Sequence, residues 1–222
     1  RRGGLNLRPA AMAPGKVNCF EGREASLFLW PRDRSMTIPE ALLKRPPIRL
    51  SGPVNDAMLQ KFLEQLDAAL RVGGPIVLEL TTSGGEADVG RRIAEDIRIQ
   101  TEQCGVEMLF LGKTAVFSAG VTIMSAFPCE RRFLSKDGYL LIHERRLQKD
   151  VHLNGALRSV EGVIRDLLAE INSGQRLERD GFEDLVRGSK LGIDDLYQHV
   201  LKENWYLSAA EALRLKLVAG IL

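Results

Sequence analysis

From Ile48 onward the hydrophobic positions switch repeatedly between two periods. Ile48-Arg49-Leu50 alternates as a strand does, and Met58, Leu59, Phe62, Leu63, Leu66 and Leu70 then recur at helical spacing behind Asn55, a residue suited to cap a helix. Residues 75–81 (PIVLELT) form a β-branched and leucine-rich run, and residues 91–103 carry Ile93, Ala94 and Ile97 on one helical face. A second apolar strand at 106–111 is expected to end in a turn at Gly112, followed by a small-residue helix over 118–127 and short strands at 131–134 and 138–142. This alternation predicts a parallel sheet with crossover helices, in which reactive groups gather at the carboxyl ends of the strands. Beyond it, Leu157, Val160, Ile164, Leu167, Leu168 and Ile171 lie on one face of a long amphipathic helix whose stripe needs a partner, in its own domain or in another subunit. Shorter helices are expected at 182–187 and 194–203, and Ser208-Ala209-Ala210-Glu211 reads as a capping box before the last one.

Residues 1–47 read differently: Pro9, Pro14, Pro31, Pro39, Pro46 and Pro47 interrupt any long periodic element, so an irregular arm is expected ahead of a domain over 48–222. Met12 is an expected start, with residues 1–11 either upstream or added sequence. The 222 residues, 45% hydrophobic, suffice for one substantial core with an excursion, placed at about 147–190. Thirty-one basic against 29 acidic residues give a net charge of +2, which makes no electrostatic case for nucleic acid or an anionic membrane. Cys19, Cys104 and Cys129 are too scattered for a disulfide framework or a zinc site and read as small buried hydrophobes in a reducing compartment. No apolar run approaches the roughly 20 residues that span a bilayer, so the chain reads as soluble and cytoplasmic.

The chemistry concentrates between the strands. A glycine pair closes Thr81-Thr82-Ser83-Gly84-Gly85, Ser118 stands in Val116-Phe117-Ser118-Ala119-Gly120, and His143 ends Leu140-Leu141-Ile142-His143. A serine hydroxyl becomes a useful nucleophile when a nearby base takes its proton and amide donors receive the oxyanion. Ser118, His143 and the amides of Gly85 and Ala119 could supply those parts, the last at the positive end of its helix. Each also has a plainer reading, as a packing serine, a surface histidine or a tight turn. Ser125, Ser208, His152 and His199 keep the plain reading, and Arg145, Arg146 and Lys149 read as a solvated face.

Taken in order, these motifs resemble the proteolytic subunit of the Clp protease and, more broadly, the Clp/crotonase fold. The family's glycine pair after a strand matches Ser83-Gly84-Gly85, with serine where proline is usual; its nucleophile matches Ser118-Ala119-Gly120; its histidine matches Ile142-His143, and the separation of 25 positions (143 − 118) is the family's. Tyr206-Leu207-Ser208-Ala209-Ala210-Glu211-Ala212 is similar to the family's phenylalanine-leucine-serine-alanine-proline-glutamate-alanine segment. The resemblance implies an α/β fold with a repeated β-β-α spiral core and a protruding long-helix handle. It also implies a serine peptidase that needs no cofactor or metal, acts on peptide or unfolded protein, and forms a homo-oligomer, with an ATP-driven unfoldase as a further partner. The arm at 1–47 matches no docking signal. Substrate would lie as an added strand beside Gly85, Glu86 and Ala87 on one side and residues 147–151 on the other.

Three departures bear on activity. The stretch from Gly112 to Ser118 is two residues longer than the usual family turn, so an ungapped match would put Val116 at the nucleophile, whereas the intact spacing to His143 favours Ser118. The family's triad aspartate falls on Asn204, which can accept the Nδ1 proton of an imidazole without supplying charge to stabilise an imidazolium; Glu203 and Asp195 are acidic alternatives. Trp205 replaces an arginine that the family uses between rings, and the segment from His143 to Asn204 is longer than usual. A weak or inactive scaffold subunit of a Clp-type assembly is therefore the rival reading. An acyl-coenzyme A enzyme of the crotonase type ranks third, because that chemistry does not need both Ser118 and His143.

Overall fold

A computed structural model describes residues 38–222. The expected start at Met12, Cys19 and most of the irregular arm lie outside the described residues. The part of the arm that is described is not wholly irregular: Glu40–Lys44 forms a one-turn helix, α1, between Pro39 and Pro46. Its Leu42 and Leu43 lie with Ile38 against Val77, Leu109, Leu111 and Phe133 on one face of the sheet.

Strand β1 (Ile48–Ser51) leads to α2 (Asp56–Val72), capped as its sequence predicts, with Asn55 Oδ1 accepting from the Met58 amide at 3.1 Å. Strand β2 (Ile76–Thr82) then runs into the glycine pair and α3 (Ala87–Arg98), which ends in a π turn at Ile99–Gln103 rather than continuing as a regular helix. Strand β3 (Met108–Phe117), α4 (Ala119–Ser125), β4 (Arg132–Leu134) and β5 (Tyr139–Ile142) complete the central part. The strands β1, β2, β3, β4 and the terminal β7 (Gly220–Ile221) are parallel neighbours in that order, while β5 pairs parallel with the second half of β3. The main core lies on the helix side, where Ile76, Leu78, Leu80, Met108 and Phe110 meet Phe62 and Leu66 of α2, Ile93 and Ile97 of α3, and Ile123 of α4. Alternate residues of β2 and β3 thus serve two cores, which explains their nearly unbroken apolar sequence.

Three local expectations need correction. No turn interrupts the chain at Gly112, because β3 continues through it to Phe117. Between the pairs Leu80↔Gly112 and Thr82↔Val116, β2 advances by two residues and β3 by four, so two residues bulge out. The bulge carries Thr114 at φ 58° and is pinned by Lys113 Nζ on Glu79 at 2.6 Å and by Thr81 Oγ1 donating to the Lys113 carbonyl at 2.9 Å. It accommodates the extra length ahead of Ser118, and Val116 stays a buried strand residue. The helix expected at 182–187 is instead the end of one 30-residue helix, α5 (Leu157–Val186). Residues 194–203 give α6 (Ile193–Val200) followed by a turn, and Trp205–Ser208, where the sequence pattern predicts no element, is a strand, β6, antiparallel to β5. The capping box is present at the start of α7 (Ala209–Arg214), where hydrogen bonds from the Ser208 amide and hydroxyl hold the Glu211 carboxyl below its usual range.

Helix α5 touches the sheet layer mainly through its C-terminal half. Arg98 pairs with Asp184 at 2.7 Å and Arg91 donates to the Leu177 carbonyl at 3.1 Å. The stripe on its N-terminal half is open, with Leu157 87% and Leu168 53% exposed. Cys129 is buried and free, Cys104 is half-buried, and burial pushes the Cys129 thiol above its ordinary pKa. Among the described residues no helix is long and apolar enough to cross a membrane.

Candidate active site

The glycine pair comes first in the chain. Gly84 (φ 97°) and Gly85 (φ 150°) hold positive-φ conformations that side-chain-bearing residues seldom adopt. Around them, the Val54 amide donates to the Gly84 carbonyl at 2.9 Å and the Glu86 amide donates to the Val54 carbonyl at 2.8 Å. In this parallel bridge the flanking groups of Gly84 and Glu86 face Val54, so the amide of Gly85 points to the opposite side. A Cβ on Gly85 would stand 2.3 Å from the Val54 carbonyl oxygen, and one on Gly84 would stand 2.7 Å from the Cβ of Ser118. Glycine is needed at both places for close approach as well as for φ. Gly85→Ala is therefore expected to destabilise the fold by more than about 1 kcal/mol, and Gly84→Ala to displace Ser118. Chemical denaturation checks the first and the labelling rate of Ser118 by a serine-directed probe the second.

Ser118 occupies the abrupt junction between β3 and α4, at φ 54° and ψ −115°. That conformation is strained for a residue with a Cβ and resembles the sharp strand-to-helix turn that exposes the nucleophile of α/β-hydrolases. Its amide donates to the Leu141 carbonyl at 2.8 Å, so the pairing of β3 with β5 carries on to the serine itself, two residues short of His143 on the partner strand. Ala119 opens α4, and its amide belongs to the first turn, where helix amides lack partners in the helix.

Ser118, His143, Gly85, Glu86, Ala87 and Ala119 all line one cavity of about 530 Å³, floored by the C-terminal half of α5 through Leu177, Phe182 and Leu185. His143 Nδ1 lies 2.5 Å from the carbonyl oxygen of Glu144. A carbonyl only accepts, so Nδ1 carries the proton and Nε2 is the basic nitrogen. Asn204 and Glu203 lie on the far side of His143, along a smaller pocket of about 280 Å³ that His143 also lines. The structure does not pair Asn204 with His143: Asn204 Oδ1 accepts from Arg146 Nη2 at 3.0 Å. Asp195 sits on α6 beside Gly192 and is absent from the lining of either pocket.

The segment after His143 has no regular structure and is tied to α5 and α3 by charge. The Arg145 amide donates to the Glu178 carboxylate, the Arg145 guanidinium meets Asp88 at 2.7 Å, and Lys149 pairs with Glu170. Tyr197 also donates to Glu178, at 3.4 Å, and burial together with that carboxylate raises the phenol's pKa. Arg146 and Lys149 are exposed, as the solvated face suggested by their clustering requires, and with the half-buried Arg145 they also form a tether. Nothing in the sequence pattern marks their partners, which lie 21 to 58 residues away. Among the described residues no cluster of three His, Cys, Asp or Glu side chains could hold a metal ion.

The chain is 29% identical to the ATP-dependent Clp protease proteolytic subunit of Streptococcus pneumoniae, over an alignment covering 66% of this chain and 78% of that protein. Its fold matches that of an asparagine-to-aspartate mutant of ClpP1 from Listeria monocytogenes with a TM-score of 0.62 at 18% identity, covering 79% of this chain and 90% of that one. The expected Clp-type α/β fold with a long helix is therefore the observed one. The sequence model of the family described as Clp protease matches residues 31–222, and the chain belongs to the Clp protease family.

Proposed function

We propose that this chain is a serine peptidase that cleaves peptide bonds with Ser118 as nucleophile and His143 as general base. The observation that carries the reading is the placement of Ser118 on a strained turn, with His143 and the backbone of Gly85 and Ala119, on the wall of one cavity. Ser118 Oγ attacks the peptide carbonyl carbon while His143 Nε2 takes the hydroxyl proton. The carbonyl oxygen becomes an oxyanion, received by the amides of Gly85 and Ala119. The C–N bond then breaks as the imidazolium returns the proton to the leaving amine, and a water molecule repeats the sequence on the acyl ester. Asn204 or Glu203 is the orienting group for His143 in the working state, and no metal or cofactor takes part. Substrate extends beside Gly85, Glu86 and Ala87, with residues 147–151 on its other side.

A fluorophosphonate probe tests this directly. Covalent labelling that maps to Ser118 supports the proposal, and labelling confined to Ser83 or Ser125, or absent altogether, refutes it.

The contact of Asn204 with Arg146 favours the second reading, a catalytically weak or inactive scaffold subunit of a Clp-type assembly. The two readings separate on whether peptide hydrolysis accompanies labelling.

The relative from Streptococcus pneumoniae is named as a subunit of an ATP-dependent protease. By that likeness this chain works as a homo-oligomer in the cytoplasm, fed with unfolded protein by an ATP-driven partner. The open stripe of α5, with Leu157, Val163, Ile164 and Leu168 exposed, is the expected contact, and the excursion at about 147–190 is the handle that carries it. Sedimentation at micromolar concentration should show an oligomer that Leu168→Glu dissociates. A monomeric wild-type chain would contradict this.

A further inference from the structure

The tether after His143 has a consequence for the third position of the site. Resting on the peptidase reading above, we infer that Arg146 is a latch that holds Asn204 away from His143, so that the subunit as described is a restrained form of the enzyme.

Three observations support the latch. Arg146 Nη2 donates to Asn204 Oδ1, the atom through which Asn204 would accept the Nδ1 proton of His143, while that proton is directed to the Glu144 carbonyl. His143, Arg146, Glu203 and Asn204 line the same pocket, so both partners open to Asn204 stand beside it. Arg146 is also delivered to Asn204 by a fixed neighbour: the Arg145 amide is held by Glu178 of α5 and its guanidinium by Asp88 of α3. Movement of α5 therefore moves Arg146, which links the latch to the helix whose apolar stripe lies open.

Arg146 and Asn204 are both exposed, and a hydrogen bond between exposed side chains is weak, so the latch opens readily. Replacing the amide by a carboxylate changes that balance. Asn204→Asp adds the negative charge that an imidazolium needs, and the same charge turns a neutral contact with Arg146 into a charge-assisted, bidentate-capable pair. The benefit of the carboxylate is then concealed as long as Arg146 is present.

A double-mutant cycle tests this, read by the rate of Ser118 labelling with the fluorophosphonate probe and by turnover of a fluorogenic peptide. Arg146→Ala is expected to raise both rates about twofold to fivefold, the range of an exposed pair. Arg146→Lys keeps a cation and a donor and should remain near the wild-type rate. Asn204→Asp alone should gain little, and the double variant should exceed the product of the two single effects by about tenfold. Independent effects of the two substitutions, or slower labelling by Arg146→Ala, would overturn the latch and leave the peptidase reading standing. Failure of Ser118 to label in any of the five proteins would overturn both.

Discussion

Replacing Ser118 should separate activity from stability, because its two properties have different physical sources. Ser118→Ala removes the nucleophilic oxygen and is expected to abolish probe labelling and to lower hydrolysis by on the order of 10⁶-fold, the scale seen when a serine nucleophile is deleted from a preorganised site. Its stability should change little, since alanine has the same backbone preferences at φ 54° as serine and exchanges a hydroxyl for a hydrogen. Ser118→Gly should be equally inactive yet more stable by about 1 kcal/mol, because glycine adopts this conformation without the strain that a Cβ imposes. Denaturant midpoints of the three proteins, measured beside their labelling rates, decide the matter. A destabilised glycine variant would mean that the turn is not strained, and undiminished hydrolysis by the alanine variant would remove Ser118 from the mechanism.

Local signals were legible in the sequence where one residue type has one dominant physical use. Asn55 announces α2 because its side chain replaces a missing helix partner, and Ser208 with Glu211 announces α7 for the same reason. The order of glycine pair, serine and histidine after successive strands located the candidate site, since a parallel sheet brings such junctions to one edge. Gly112 misled because glycine has two uses. Its pattern suggests a turn, yet a Cβ there would meet Leu134 Cδ2 and Val116 Cγ2 at 2.6 Å, so it is small to fit the core, and the unusual backbone falls two residues later on Thr114. Gly174 and Gly181 likewise sit inside α5 without ending it, and the expectation of a separate helix at 182–187 undervalued how readily a long helix tolerates isolated glycines once its far half is packed. Strand β6 was hidden because Trp205-Tyr206-Leu207-Ser208 has only four residues and owes its conformation to pairing with β5, a contact that sequence periodicity does not encode. The contact of Arg146 with Asn204 lay further out of reach, because the partner of a long flexible side chain is fixed by the tertiary path of both segments.

Arg132 is the other position where a charged residue does what its sequence context hides, and its removal should bring the largest loss of stability. It stands in β4 within an otherwise apolar strand and is 1% exposed. Its guanidinium donates to the carbonyls of Phe127 at 2.6 Å, Leu185 at 2.8 Å, Asp184 at 3.2 Å, Ser125 at 3.3 Å and Leu217 at 3.4 Å. Those carbonyls belong to the C-terminal ends of α4 and α5 and to the loop before β7, so one side chain satisfies groups that helix ends leave without partners and joins four segments beneath the site. Burial lowers the pKa of Arg132 from its ordinary value, with Glu130 and Asp184 acting in the opposite sense, but an arginine starts so high that it stays charged across the physiological range. Arg132→Met fills much of the same volume and leaves the carbonyls dry and unpaired, which should cost about 3–5 kcal/mol. Arg132→Lys offers donors from one nitrogen only and should fall between the two. Because Leu185 and Asp184 anchor the packed half of α5, the methionine variant should also loosen the floor of the cavity, seen as faster amide exchange over 177–186 than over α2. A methionine variant within about 1 kcal/mol of wild type would show that these carbonyls find water or other donors, and that α5 is held by Arg98 with Asp184 and by Arg91 with Leu177 instead.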